Sequence, residues 1–519
     1  MYKNLNSAIV LGINGYQINV EIDISNGLPG LTIVGLPDTA TNESRERVRS
    51  AIKNSGFTFP LKKITVNLAP ANIKKEHGFF DLAIAIGILI ASGQLNDKFA
   101  YDKYLIAGEL SLNGNLLPLR GILPIASMCR ESGMKLIAPL QNYSEIKIIK
   151  DIEYKVFDNL CAAAKYFNEG VYKEPDKCLK PGMKLSSDIG NLLQPPVDFN
   201  EIIGQTHAKR ALEIAAAGGH AVLMRGAPGS GKTMLANSLS TILPPMTFEE
   251  SVEVSKIYSI AGLLTNNSLI EKRVFRAPHH TISESAMIGG SKIPRPGEVS
   301  LAHNGVLFLD EFSEYKKSVL ESLRLPLSNG IVTISRALAT YTFPARFMLV
   351  AACNPCPCGY FGDSKITCRC SANSIKNYQS KISGPILDRI DMQLEVERVN
   401  IKDAVRNGNC ESSSAIALNV KKAREMQLKR YAKSRSNGEK NLPAIINANM
   451  TQNHIKTYCI MSDEMSNILN KACEKFNLSM RSYYKILKVA RTIADLNNQK
   501  DIYKEALLEA IQFRTGFEL

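Results

Sequence analysis

Gly226-Ala227-Pro228-Gly229-Ser230-Gly231-Lys232-Thr233 has the spacing G-x-x-x-x-G-K-T. Its glycines let successive backbone N–H groups turn inward around a polyphosphate, and a helix beginning at its end adds positive potential. The flanks supply that setting. Residues 220–224 read as a buried strand, and residues 234–243 as a helix stopped by Pro244 and Pro245. In such a loop Lys232 reaches the β- and γ-phosphates, and the Thr233 hydroxyl ligates magnesium. Strand, loop and helix in this order predict an α/β nucleotide-binding core and a bound nucleoside triphosphate cradled by residues 226–233.

Phosphoryl transfer also needs a carboxylate near the metal and a group that orients the attacking water. Val306-Leu307-Phe308-Leu309-Asp310-Glu311 is an apolar strand ending in two carboxylates. Asp310 fits the first role and Glu311 the second. A further apolar run, 347–353, ends at Asn354, which is placed to bond the γ-phosphate and the water. With 221–224 and 392–396, these short runs read as parallel strands buried on both faces.

The rest of the chain divides around this core. Residues 1–167 alternate strands and helices: 17–22 and 64–68 alternate like half-buried strands, 39–55 is an amphipathic helix capped by Thr41 or Asn42, and 80–90 is a buried helix. Prolines, glycines and charges interrupt every pattern over 168–199, a linker. The core occupies 200–400, and 401–519 is helical. The longest apolar stretch, 82–91, is too short to cross a bilayer, and the N-terminus carries no secretion signal, so a cytoplasmic location without membrane contact is expected.

Net charge is +14, and residues 401–519 hold 20 Lys plus Arg against 12 Asp plus Glu, more than half of the excess. Lys421, Lys422, Arg424, Lys429, Arg430, Lys433 and Arg435 crowd one stretch opposed by Glu425. Such a run suits a phosphate backbone, or is simply a solvated helix face. Five of the 11 cysteines lie between Cys353 and Cys370. Cys353 reads as a core strand residue. Cys356-x-Cys358 and Cys368-x-Cys370 could hold a structural zinc ion or remain reduced thiols.

The strand ending in Asn354 resembles that of the AAA+ ATPases, in which an Asn there senses the γ-phosphate. Gly384-Pro385-Ile386-Leu387-Asp388-Arg389-Ile390-Asp391 resembles the segment that gives an arginine finger, here Arg389, to a neighbouring subunit. Ser479-Met480-Arg481-Ser482-Tyr483 resembles the second sensor arginine, Arg481, on a C-terminal helical lid. Either arginine could instead form a surface ion pair. Phe275-Arg276-Ala277-Pro278-His279-His280-Thr281, residues 296–305 and Asn354-Pro355-Cys356-Pro357-Cys358-Gly359 are similar to the magnesium-chelatase-like YifB/ComM family. So are residues 27–38, 67–71 and 488–496. Ala227 and Leu325 depart from its usual residues, away from the chemistry. The resemblance implies a homo-oligomeric ring, in this family a hexamer, and for ComM members branch migration of recombining DNA.

Two further resemblances bear on the flanks. The core is similar to MCM helicases, whose hairpin at the position of residues 331–343 points into a pore. That would make Arg336 a DNA contact, unless the hairpin is merely structural. Residues 1–167 resemble the Lon-protease-like (S5-type) fold, yet neither Gly78-Phe79-Phe80-Asp81-Leu82 nor Arg120-Gly121-Ile122-Leu123-Pro124 supplies the Ser–Lys pair, so no peptidase activity is expected. The expectation is therefore an ATP- and magnesium-dependent ring that moves DNA without reading its sequence. Its rivals are a metal-chelatase motor subunit, against which the absent adhesion-type partner domain speaks, and a scaffold that uses ATP only to assemble.

Overall fold

Ile18, Val20, Ile22 and Ile24 are buried at every second position of strand Asn14–Ser25, while their neighbours are not. That alternation commits one face of a sheet to a core. In the computed structural model, this strand pairs antiparallel with Tyr2–Leu11 on one side and Lys63–Ala69 on the other. Gly30–Val34 adds to the Lys63–Ala69 edge, and Tyr104–Ile106, Lys135–Pro139 and Tyr154–Phe157 extend the Tyr2–Leu11 side in parallel, giving seven strands. The structure describes all residues except 36–38, 72, 74, 76–77, 173, 175–196, 265–268, 291–293, 337–338, 364, 399–410, 433–445 and 516–519.

Helix Asp81–Ala91 lies against this sheet with all of its 11 residues buried. Each buried Leu or Ile contributes about 1.5–3 kcal/mol by leaving water. Close approach requires Gly87, because a Cβ there would meet Ile22 Cδ1 at 2.0 Å. A helix spans Thr39–Asn54, and the side chains of Thr41 and Asn42, read as its cap, lie outside those described. Asp81 is fully buried and accepts from Arg47 Nε at 2.8 Å and from the Leu110 amide at 3.2 Å.

The chain forms two compact units, and neither is one continuous segment. The first holds Met1–Ile189 together with Val252–Ile270 and Thr333–Phe343. Val252 and Leu264 pack against the cluster containing Ala8, Leu105 and Ile125. Ser259 donates to the buried Glu145 carboxylate. Gly12 lies so close to the hairpin that a Cβ would sit 2.4 Å from the Thr342 carbonyl oxygen.

The second unit holds Gly190–Ser251, Glu271–Val332 and Pro344–Leu519. Its sheet is wholly parallel, in the order Phe275–Arg276, Val306–Leu309, Met348–Cys353, Val222–Arg225, Met392–Glu395. Four of these strands start and stop within two residues of the sequence reading, whereas the edge strand Phe275–Arg276 is too short to be read from its pattern. The first begins at Val222 because His220 is fully buried instead as a polar anchor, 2.7 Å from Thr492 Oγ1 and 3.4 Å from Asp391. Helices Ser413–Ala432, Gln452–Tyr458, Asp463–Lys475, Met480–Leu496 and Lys504–Thr515 follow. Ile486, Val489, Ala490 and Ile493 form the buried stripe of Met480–Leu496.

The proline- and glycine-rich stretch 168–199 is folded at both edges. Helix Leu160–Glu169 ends at Gly170, and Asp198 caps Phe199–Glu201 with a capping box. Residues 175–196 lie outside the described residues. No described helix is long and apolar enough to cross a membrane.

Candidate active site

Parallel strands present their C-terminal ends on one edge, and loops leaving that edge converge there. Val222–Arg225 leads into the phosphate loop and helix Lys232–Ile242, Val306–Leu309 into Asp310 and Glu311, and Met348–Cys353 into Asn354. The strand carrying Asn354 is hydrogen-bonded to both of the others. The phosphate loop, the two carboxylates and the asparagine thereby meet in one place.

Lys232 is 8 % exposed, and its Nζ donates to Gly226 O at 2.7 Å, Ala227 O at 3.0 Å and Asn354 Oδ1 at 3.3 Å. Burial lowers its pKa. Thr233 Oγ1 donates to Asp310 Oδ2 at 2.8 Å, and the Glu311 amide to Asp310 Oδ1 at 2.9 Å. A hydroxyl beside a carboxylate is the hard-oxygen set that magnesium takes.

The loop has the shape of a phosphate cradle. Gly229 and Gly231 have φ of +76° and +94°, and a Cβ on either would project into open space. Gly226 is tight for the opposite reason: a Cβ there would lie 2.2 Å from Val396 O. Ser230 Oγ is buried without a hydrogen-bond partner, a group that a phosphate oxygen would satisfy. Gln205, which no motif singled out, donates to Ser230 O at 3.2 Å.

Glu311 adopts left-handed φ and ψ of 51° and 45°, a conformation costing a non-glycine residue about 1–3 kcal/mol. Its Oε2 lies 3.1 Å from His280 Nδ1. The loop bearing His280 is held by two neighbours. Arg276 makes a bidentate pair with Glu298 at 2.7 Å for both bonds, and Tyr315 Oη donates to Pro278 O at 2.6 Å. His280 is part of a family motif in the sequence but has no role there, because its partner is 31 residues away on another loop.

Arg389 and Arg481 do not join this centre. Arg389 donates to Arg324 O, Ser328 Oγ and Pro385 O at 2.8–2.9 Å. Burial, then the like charges of Arg481 and Arg324, lower its pKa. Lys485 Nζ donates to Arg389 O at 2.6 Å, and Ser479 Oγ to Asp388 Oδ1 at 3.3 Å. These bonds draw the Arg481 helix onto the Arg389 segment. Among the described residues, neither guanidinium bonds to the phosphate loop, Asp310, Glu311 or Asn354.

The basic run on Ser413–Ala432 is not the continuous charged surface expected of it. Lys421, Lys422 and Lys429 are exposed, whereas Arg424 turns inward to Ala216 O at 3.0 Å and Arg430 pairs with buried Asp495. Lys433 and Arg435 lie outside the described residues. Arg336 closes strand Ile331–Arg336 of the hairpin with Ala339–Pro344, and its side chain lies outside those described.

Cys356, Cys358, Cys368 and Cys370 are all free, with their sulfur atoms within 4.8 Å of one another. Cys353 is separate, buried in its strand, and that burial pushes its thiol up to about 11.

Three family models match the chain in succession. Subunit ChlI of Mg-chelatase covers residues 20–142, magnesium chelatase subunit ChlI covers 198–404, and the ChlI C-terminal model covers 410–514. Competence protein ComM of Haemophilus influenzae is 41% identical over 510 residues, 98% of this chain and 96% of that protein. YifB of Escherichia coli is 41% identical over 507 residues, 97% and 95% of the two chains. Similarity to the magnesium-chelatase 67 kDa subunit of Chlorobaculum parvum is 29% and confined to 165 residues, 31% of this chain and 23% of that one. A ChlI-type domain implies an ATPase, and magnesium with it. With a parallel five-stranded core carrying that domain and end-to-end identity to both proteins, this chain belongs to the magnesium-chelatase-like family of ComM and YifB.

Proposed function

We propose that this ATPase assembles into a ring, a hexamer, and moves DNA, with branch migration during homologous recombination or natural transformation as its task. The observation that carries the ring is the separation of cations. Lys232 lies among the phosphate-loop carbonyls, while Arg389 and Arg481 lie together elsewhere, bonded to neither carboxylate. An arginine finger placed away from its own site serves the site of a neighbour.

Within each site residues 226–233 wrap the triphosphate, and Lys232 pairs with its β- and γ-oxygens. Thr233 and Asp310 would hold magnesium, which supplies charge neutralisation between those oxygens. Glu311 and Asn354 orient water in line with the γ-phosphorus. As the new P–O bond forms and the bond to the β-phosphate breaks, Glu311 receives the water's proton. Arg389 of the neighbouring subunit stabilises the charge that spreads over the equatorial oxygens, and Arg481 follows the γ-phosphate.

DNA as substrate is supported by the name of the ComM relative, a competence protein, by the exposed Lys421, Lys422 and Lys429, and by Arg336 at a hairpin end. We read residues 1–167 as Lon-protease-like without its Ser–Lys pair, 168–199 as the linker, 200–400 as the motor core and 401–519 as its lid. A cytoplasmic location accords with that task.

The test is ATP hydrolysis and strand movement on a synthetic three- or four-stranded junction. Junction-stimulated hydrolysis with branch migration, both abolished in Lys232→Ala, is expected. Hydrolysis indifferent to DNA would overturn the DNA assignment and redirect the search to a protein or tetrapyrrole partner.

A further inference from the structure

The cysteine loop is built onto the phosphate loop. Cys356 follows Asn354 by two residues, and Pro355 O between them accepts from Gln379 Nε2 at 3.3 Å. Gly359, at φ +83°, lies against Pro228 of the phosphate loop, and a Cβ there would be 2.5 Å from Pro228 Cδ. Arg398 bridges the two loops. It donates to Pro228 O at 2.9 Å, lies 3.5 Å from Asp363 Oδ2, and stacks 5.3 Å above the Tyr360 ring. Asp363 in turn accepts from the amides of Lys365 and Ile366 at 2.8 and 2.9 Å, closing the turn that returns the chain to Cys368.

The sulfur geometry is that of a coordination shell. Cys356 and Cys358 sulfurs are 3.3 Å apart, Cys358 and Cys368 3.5 Å, and Cys356 and Cys368 3.7 Å. A tetrahedral ion with metal–sulfur bonds of about 2.3 Å sets its sulfurs about 3.8 Å apart. A disulfide would need about 2.0 Å. The Phe361 amide points at Cys356 Sγ at 3.3 Å and the Cys370 amide at Cys368 Sγ at 3.4 Å. Such N–H groups offset thiolate charge and orient the ligands. Four sulfurs and no oxygen select a soft, tetrahedral cation, zinc above magnesium or calcium.

We propose that Cys356, Cys358, Cys368 and Cys370 bind one zinc ion that clasps Asn354 and Pro228 in position, so that nucleotide binding depends on the metal. The inference deepens the ATP-site reading and rests on it. Binding replaces the thiol protons of the ligands with the cation. The ordered loop then presses Gly359 on Pro228 and fixes Arg398 through Asp363. Extraction of the metal releases both contacts.

The experiment uses the full chain purified without chelators. Metal content is measured by mass spectrometry, zinc release by a mercurial with a chromogenic zinc indicator, and affinity by a fluorescent ATP analogue. One zinc per chain is expected, with release weakening analogue binding at least about tenfold. Cobalt titrated into the stripped wild-type protein should give the visible bands of a tetrahedral thiolate site, a readout independent of folding in any variant. Cys368→Ser with Cys370→Ser should lose the metal. Gly359→Ala should keep it and still lose affinity, because its sulfurs are intact while its packing on Pro228 is not.

Protein that neither contains zinc nor takes up cobalt overturns the metal site. Zinc release with unchanged analogue affinity overturns the clasp. Lys232→Ala separates the underlying reading: it should retain zinc and lose the analogue. Analogue binding that survives Lys232→Ala would sink the ATP assignment while leaving the metal site standing.

Discussion

His280 Nδ1 lies 3.1 Å from Glu311 Oε2, across two loops that the sequence keeps 31 residues apart. The pairing aims a carboxylate whose backbone is already confined to the left-handed region. Glu311→Gln should bind ATP yet hydrolyse it about 10²–10⁴-fold more slowly, the range for losing a positioned base. His280→Ala leaves the base but frees its orientation. Its kcat should fall by about 10²-fold with KM little changed. Steady-state kinetics with a parallel binding titration distinguish the two, and a His280→Ala effect confined to KM would refute a positioning role.

Arg389 is expected to act in trans. Arg389→Ala alone should lose about 10³-fold in kcat while still binding ATP. Mixing it with Glu311→Gln should restore part of the activity, since some interfaces then pair an intact finger with an intact carboxylate. Absence of any restoration across mixing ratios, with assembly verified by mass photometry, would place the finger on its own subunit's site or nowhere.

The helix Ser413–Ala432 separates two kinds of positive charge. Lys421→Gln and Lys422→Gln should weaken DNA binding at all sequences and reduce the salt slope by about 1 for each phosphate no longer neutralised. Arg430 instead pairs with Asp495, which is 2 % exposed and also accepts from Arg491 Nε at 3.1 Å and Asn447 Nδ2 at 2.8 Å. Arg430→Ala should cost stability, up to about 3–5 kcal/mol for a broken buried pair. Thermal melts and salt-dependent anisotropy give opposite patterns for the two sets.

Glu145 makes the first unit sensitive to pH. Burial raises its carboxyl from 4.5 to about 7, against hydrogen bonds from Ser259 and Asn142 that pull it down. A raised acid pKa means that folding favours the protonated form. Stability is untouched below pH 4.5 and falls as pH rises through the window to 7, by about 3 kcal/mol at most. Glu145→Gln should remove that slope. Denaturant midpoints from pH 4.5 to 8 for both proteins measure it, and parallel curves would contradict the assignment.

The candidate site was legible because its signals are local: a glycine spacing, an apolar run ending in Asp310 and Glu311, another ending in Asn354. Four short buried strands follow the same logic and differ only at their ends, as where His220 is a polar anchor, whereas the two-residue edge strand Phe275–Arg276 leaves no pattern to read. What stayed hidden depends on pairing distant residues. Nothing near Arg424 or Arg430 in the sequence says that they face Ala216 and Asp495 rather than solvent. Nor does the cysteine spacing reveal that Gly359 would rest on Pro228, 131 positions earlier.

The grouping of Val252–Ile270 and Thr333–Phe343 with the N-terminal sheet has a consequence for engineering. The linear order of the chain invites chimeras cut near residue 200. Such a cut would leave Val252 and Leu264 without their apolar neighbours, Ser259 without Glu145, and Thr342 without the turn at Gly12. A graft between relatives must therefore exchange three stretches at once. Modules drawn from the linear order of the sequence do not coincide with the compact units of the fold.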